Sequence, residues 1–153
     1  DHRDRDDAER DAAGRAGIAA DRLDQLVSAF GPGNVFVEVQ RHHRRGEDRI
    51  HSALVDLARS RRLPVLATNG VIQARPEGRT VADVFTCLRH HTTLDAAGTL
   101  LSANAERHLK TAAQMRALFA DLPEAIDNTA RLADRLRFEL TDLGYEFPRY
   151  PVG

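Results

Sequence analysis

Two stretches decide the fold: Asn34-Val35-Phe36-Val37-Glu38-Val39-Gln40-Arg41 and Pro64-Val65-Leu66-Ala67-Thr68-Asn69. The first is rich in β-branched residues and alternates. Val35, Val37 and Val39 share one face, while Phe36, Glu38, Gln40 and His42 share the other. The second is a short apolar run, entered through proline and left through Gly70, as a buried strand would be. Between them lies a helical pattern running to about Arg62, with Ile50, Leu54, Leu57 and Ala58 as its apolar stripe. Strand, helix and strand at this spacing form a βαβ unit, which implies parallel pairing through a right-handed crossover. The polar second face of strand 34–41 is the kind of surface that points at a site.

Working outward, residues 1–12 are almost wholly charged and are expected to fray. From Ala8 to Phe30 the apolar positions Ile18, Leu23, Leu26, Val27 and Phe30 recur at helical steps, until Gly31, Pro32 and Gly33 stop them. Beyond Gly70, Thr80 reads as the N-cap of a third helix, with Asp83 at the capping-box position and Val81, Val84, Phe85 and Leu88 as its apolar face. Residues 92–107 look irregular, and His108-Leu109-Lys110 reads as a short extended piece. Thr111 with Gln114, and Asp121 with Glu124, are two further capping-box pairs that open helices near 112–120 and 122–137. Their faces carry Met115, Leu118, Phe119, Ile126, Ala130, Ala133 and Leu136. The stretch Leu143 to Pro151 is aromatic, proline-bearing and therefore extended.

The whole chain has 153 residues, 42% hydrophobic and 29% charged, with a formal charge of −1. These values suit one folded domain or part of a larger one. No run approaches the ~20 apolar residues of a membrane-spanning helix, and the charged N-terminus does not read as a signal peptide. A single cysteine, Cys87, excludes a disulfide framework and reads as a buried thiol. Together these suggest a reducing, cytoplasmic address. Lys110 is the only lysine, so 21 of the 22 basic residues are arginines. Guanidinium suits phosphate, but the arginines are scattered among acids, as a GC-rich coding sequence would also scatter them. The adjacent pairs His42-His43 and His90-His91 have poor ligand spacing and read as structural. No phosphate-binding loop, dinucleotide fingerprint, zinc-protease motif or nucleophile elbow is present.

Five strings in order bring a known family into view: FVEVQRH at 36–42, LPVLATNGV at 63–71, ADVFTCLRHHTTLD at 82–95, NAERHLK at 104–110 and LFADLPEAIDNTARLADRLRFEL at 118–140. Together they resemble the bacterial C-family DNA polymerases, and within them the error-prone, damage-induced branch related to the polymerase III alpha subunit. The likeness covers roughly residues 20–151. It implies an α/β fold: part of a distorted β/α barrel of the PHP (polymerase and histidinol phosphatase) type followed by a helical segment. Residues 1–91 would be the C-terminal part of the PHP-like domain and residues 92–153 a helical connector toward the polymerase palm.

The resemblance also implies what the site should hold. Metal-binding members end the second strand with an aspartate and, two residues on, a histidine; here those positions are Gly70 and Ile72, which offer no donor. Glu38 matches the family's strand glutamate and His42 the histidine after it. These four are read as a vestigial metal site, with no intact metal centre and no catalytic residue. The family's first histidine motif would lie before residue 1 and the palm carboxylates beyond residue 153. The chain then reads as a metal-free scaffold within a polymerase acting in translesion synthesis and repair, itself without activity or cofactor. Magnesium would belong to the parent's palm. Its partners would be the remainder of the polymerase, DNA through that parent, and other replication or mutasome subunits, with no membrane. The alternative is a PHP-type metal-dependent phosphoesterase or proofreading exonuclease using Glu38 and His42. Glu38 should face away from the helices, while Val37 and Val39 pack beneath helices 8–30 or 47–62; with the metal gone, an arginine or a water should replace it near Glu38.

Overall fold

The computed structural model describes residues 17–139 and Gly144. The charged start of the chain and the aromatic end, read above as frayed and extended, lie outside the described residues. Helix α1 covers 17–30, and β1 (Val37–Gln40) follows a 3-10 turn at Pro32–Asn34. Then come α2 (Glu47–Ser60), β2 (Val65–Thr68), a second 3-10 turn at Pro76–Gly78 and α3 (Arg79–His90). The short α4 (Leu94–Ala97) runs into a third 3-10 turn, and α5 (Ala112–Leu118) and α6 (Pro123–Arg135) complete the order. Among the described residues no helix is long and apolar enough to cross a membrane.

The βαβ reading holds. β1 and β2 pair in parallel, with Val37 opposite Val65 and Gln40 opposite Thr68. Period two places Val35, Val37 and Val39 in the core and leaves Glu38 exposed. Around them pack Leu23 of α1, Val55 and Ala58 of α2, and Phe119, Leu122 and Ala125 from the α5–α6 region. Phe119 and Ala58 have no exposed surface at all.

Helix α6 also finishes the sheet on one side. The Asn128 amide donates to the Val65 carbonyl at 3.0 Å. The Thr129 hydroxyl accepts from Ala67 N–H at 3.1 Å, and its oxygen also lies 3.0 Å from the Ala67 carbonyl. Two side chains thereby satisfy backbone groups that a bare edge strand would leave open. Among the described residues the sheet has two strands.

Several boundaries differ from those read in the sequence, each for a local reason. Thr80 does not cap α3. The 3-10 turn at Pro76–Gly78 runs straight into the helix, Gly78 stands at its N-cap, and Asp83 accepts from Arg79 Nε at 3.2 Å. Asp121 does not cap α6 either, since Pro123 occupies the first turn and Arg41 takes the Asp121 carboxylate. Helix α2 ends at Ser60 rather than Arg62, because Arg62 adopts a left-handed φ of 54°. Part of the irregular stretch 92–107 winds into α4 and its 3-10 extension. The segment at 108 makes only a single bridge, His108 to Gln73.

Some apolar stripes are wider than the face that is covered. Ile18, Leu26 and Phe30 of α1, Ile50 of α2, and Val81, Val84, Phe85 and Leu88 of α3 are all exposed. Leu23 and Val55 meet the core instead, and Cys87 is buried as expected.

The cap at Thr111 is as read. Its hydroxyl accepts from Gln114 N–H at 3.2 Å, while the Gln114 side chain accepts from Thr111 N–H at 2.8 Å. Thr111→Ala should therefore lower unfolding free energy by about 1 kcal/mol. Equilibrium urea unfolding would measure it; an unchanged midpoint would deny the cap any role.

Candidate functional site

In parallel α/β sheets ligands gather beyond the C-terminal strand ends, where loops diverge and backbone groups are free. Here that end lies after Gln40 and Thr68. Three sidechain–backbone bonds stitch the 98–108 segment to it. The Asn104 amide donates to the His42 carbonyl at 2.5 Å, and the Asn69 amide donates to the Glu106 and His108 carbonyls at 2.8 and 2.6 Å. Asn69 is buried, so these bonds set the loop's height above the sheet.

The positions singled out in the sequence converge here, but their donors are committed elsewhere. Glu38 accepts from the Thr68 hydroxyl on β2 and from the Gln40 amide at 3.0 Å. The partner of Glu38 on the neighbouring strand is thus the Thr68 hydroxyl, where an arginine or a water was expected. His42 Nε2 lies 3.0 Å from the Asn69 carbonyl. A carbonyl only accepts, so that nitrogen carries the proton and presents no lone pair. Gly70 has a left-handed φ of 49°, and a Cβ there would overlap the Gln40 amide. Ile72 is 47% exposed, and its N–H donates to the Arg107 carbonyl at 3.0 Å. Among the described residues no three His, Cys, Asp or Glu side chains are grouped to hold a metal ion. With no donor at Gly70 or Ile72 and His42 Nε2 taken by a carbonyl, the donor set does not fit a multi-metal centre. His90 and His91 lie exposed at the end of α3, where His91 forms the left-handed C-cap.

The loop leaving β1 is held by Glu47. Its carboxylate accepts from His42 N–H at 2.9 Å and from His43 N–H at 2.9 Å. Burial pushes this carboxyl up, but hydrogen bonds from the backbone of Arg44, His42 and His43, together with the nearby His51, bring it below the usual carboxylate range. His43 sits at a left-handed φ of 53° within this turn.

What fills the strand end is positive charge. A cleft of about 570 Å³ is lined by His42, Arg44, Arg79, Asn104 and Arg107 among others, with no carboxylate in its wall. A second, of about 390 Å³, shares His42, Arg44 and Arg107 with it and adds Arg45 together with the Glu47 carboxylate. Arg107 Nε donates to the Gly70 carbonyl at 2.7 Å. Arg79 Nη2 donates to the Ser102 carbonyl at 2.6 Å. On the opposite, helix-covered side, Arg41 lies 4.7 Å from the Phe119 ring centroid and pairs in two-pronged fashion with Asp121, at 2.5 and 2.8 Å. That pair holds the Asp121 carboxyl below its usual range. Reading the sequence did not single out Arg44, Arg79 or Arg107; their signal, the arginine excess, carries no information about convergence.

No protein-family model matches the chain. Curated relatives do. It is 42% identical over 135 residues to an error-prone DNA polymerase of Rhodopseudomonas palustris, covering 88% of this chain and 11% of that protein. It is 40% identical over 133 residues to an error-prone DNA polymerase of Brucella suis, covering 87% of the chain and 12% of that protein. A third error-prone DNA polymerase, from Bradyrhizobium diazoefficiens, is 47% identical over 109 residues, 71% of the chain and 10% of the relative. The chain thus spans about a tenth of the length of these relatives.

Proposed function

We propose that this chain, a homologue of one segment of the error-prone DNA polymerases, serves such a polymerase as a metal-free structural piece of its PHP region. The carrying observation is identity of 40–47% across most of the chain to polymerases of that name. On this reading β1 and β2 are two strands of a distorted β/α barrel, which other parts of the parent complete at the β1 edge. Residues 1–91 belong to that barrel, and residues 92–153 lead toward the palm, with α6 closing the β2 edge on the way. Nucleotidyl transfer in bypass of DNA damage is then the work of palm carboxylates and magnesium elsewhere in the parent, in the cytoplasm. DNA and other replication subunits are reached through that parent.

The phosphoesterase alternative loses support at the side chains. Gly70 and Ile72 offer no ligand, His42 Nε2 faces a carbonyl, and Glu38 is held by Thr68 and Gln40. Positioned carboxylates are what metal-assisted phosphoryl transfer requires.

The expected result is that the 153-residue chain neither extends a primer nor degrades DNA, while a polypeptide spanning the full length of the relatives extends primers when supplied with magnesium and nucleotides. Primer extension assays on both would decide. Incorporation by the 153 residues alone would overturn the scaffold reading, and nuclease activity in them would restore the phosphoesterase.

A further inference from the structure

We propose that α3 is a docking helix, and that in the parent polymerase an apolar surface of polypeptide outside these 153 residues covers its stripe of Val81, Val84, Phe85 and Leu88. The inference rests on the polymerase reading above and adds to it a named contact.

The sequence of α3 is poorly suited to hold a helix by itself. It has 12 residues, about the length at which isolated helices are marginal in water. Thr80, Val81, Val84, Phe85 and Thr86 are all modest helix formers, because branched and aromatic side chains lose rotamer freedom against the preceding turn. No side chain caps its N-terminus, and its C-cap, His91, takes a left-handed φ of 51° without being glycine. A helix of this kind owes its stability to a packed face. Yet within it only Cys87 is buried. The helix packs chiefly on α4 and on the 3-10 turn before it rather than on the sheet, and Arg79 ties its first turn to the Ser102 carbonyl.

The uncovered face has the order of a contact surface. Its four residues stand at i, i+3, i+4 and i+7, the spacing by which a helix anchors in an apolar groove, and each is between 42 and 66% exposed. Leu94 of the adjoining α4 is exposed as well. Single exposed apolar side chains need no explanation, but a contiguous set marks a place of association.

The occupant follows from how little of the parent is present. The chain matches 11% of the Rhodopseudomonas palustris polymerase and 12% of the Brucella suis one. Most of such a parent is therefore polypeptide tethered to α3. A tethered surface acts at an effective concentration that can reach roughly millimolar, which favours it over a free partner or a second copy.

Hydrogen exchange of residues 79–90 should be slow in a polypeptide spanning the full length of the relatives, and at least about tenfold faster in the 153-residue chain. Phe85→Asp combined with Leu88→Asp should abolish that protection in the longer polypeptide, whereas Phe85→Leu should keep it. In the 153-residue chain the double substitution should leave exchange of β2 unchanged, because both positions face water there. Slow β2 amides in the longer variant would show that its fold survives; should it fail to fold, the two unsubstituted polypeptides still decide. Equal exchange of 79–90 in those two would overturn the proposal. So would protection of the short chain that rises with its concentration, which would assign the stripe to a second copy. Primer extension by the longer polypeptide, measured in parallel, tests the polymerase reading separately. Extension with equal exchange refutes the docking alone; protection without extension supports the docking and removes the polymerase reading.

Discussion

Phe119→Ala is expected to lower the unfolding free energy by about 3–5 kcal/mol, the range for emptying a fully buried aromatic position. Phe119 has no exposed surface and lies in one cluster with Leu23, Val37, Val39, Val55 and Ala67. Its ring is also the platform for Arg41, whose guanidinium stands 4.7 Å from the centroid and bonds the Leu118 carbonyl at 2.8 Å. Truncation would therefore open a cavity and loosen the clasp between β1 and the α5–α6 turn. Domains of this size are stable by only about 5–15 kcal/mol, so the variant should unfold at far lower urea, or lack a cooperative transition altogether. Phe119→Leu should cost less, because most of the volume stays, and Leu136→Ala, at a position 70% exposed, should cost little. A loss below about 1 kcal/mol for Phe119→Ala would mean that this ring does not anchor the core.

The contrast between Phe119 and the exposed stripes shows what hydrophobic spacing can tell. Val35, Val37 and Val39 alternate with polar residues, and only one assignment of faces satisfies them, so the strand, its parallel partner and the outward placement of Glu38 were all legible. Phe119 was legible as an apolar helical position, though it lies just past the end of α5. The stripe of α3 was equally legible as a pattern, yet Val81, Val84, Phe85 and Leu88 remain exposed. Periodicity names the face that burial would favour; it does not supply the surface that covers it.

Cap signals divided in the same way. Thr111 and Gln114 satisfy one another locally, so three residues of sequence contain the whole interaction. Asp121 had the same local grammar but a stronger, distant partner in Arg41, 80 positions away. A charge-assisted pair outbid a cap that needs only a weak acceptor. The cleft was illegible for the same reason. Arg44, Arg79 and Arg107 belong to three separate loops or helix starts and meet only because Asn69 and Asn104 pin the intervening segment to the strand ends. Glu47, at the first turn of α2, reads as a helix-dipole carboxylate; its bonds back to His42 and His43 depend on a left-handed turn no spacing announces.

That carboxylate supports the second large effect. Glu47→Ala should destabilise the chain by about 2–3 kcal/mol, since it leaves backbone N–H groups of His42 and His43 without their acceptor in a partly buried turn. Glu47→Gln should lose less, because an amide oxygen still accepts. The pH dependence carries the sign of the same contacts. Although burial opposes ionisation, the backbone hydrogen bonds of Arg44, His42 and His43 hold the folded-state carboxyl below its ordinary value. A depressed folded value means the stabilisation is fully present above the unfolded carboxylate range of about pH 4–5, and is lost as pH falls through the folded value. Urea unfolding of the wild-type chain should therefore weaken below about pH 5 more steeply than that of Glu47→Ala, and the gap between them should narrow toward acid. Equal slopes for the two proteins would show that Glu47 carries no folding-linked proton. The same substitution should speed hydrogen exchange at His42 and His43, since the turn that presents Arg44 to the cleft opens when its carboxylate is gone.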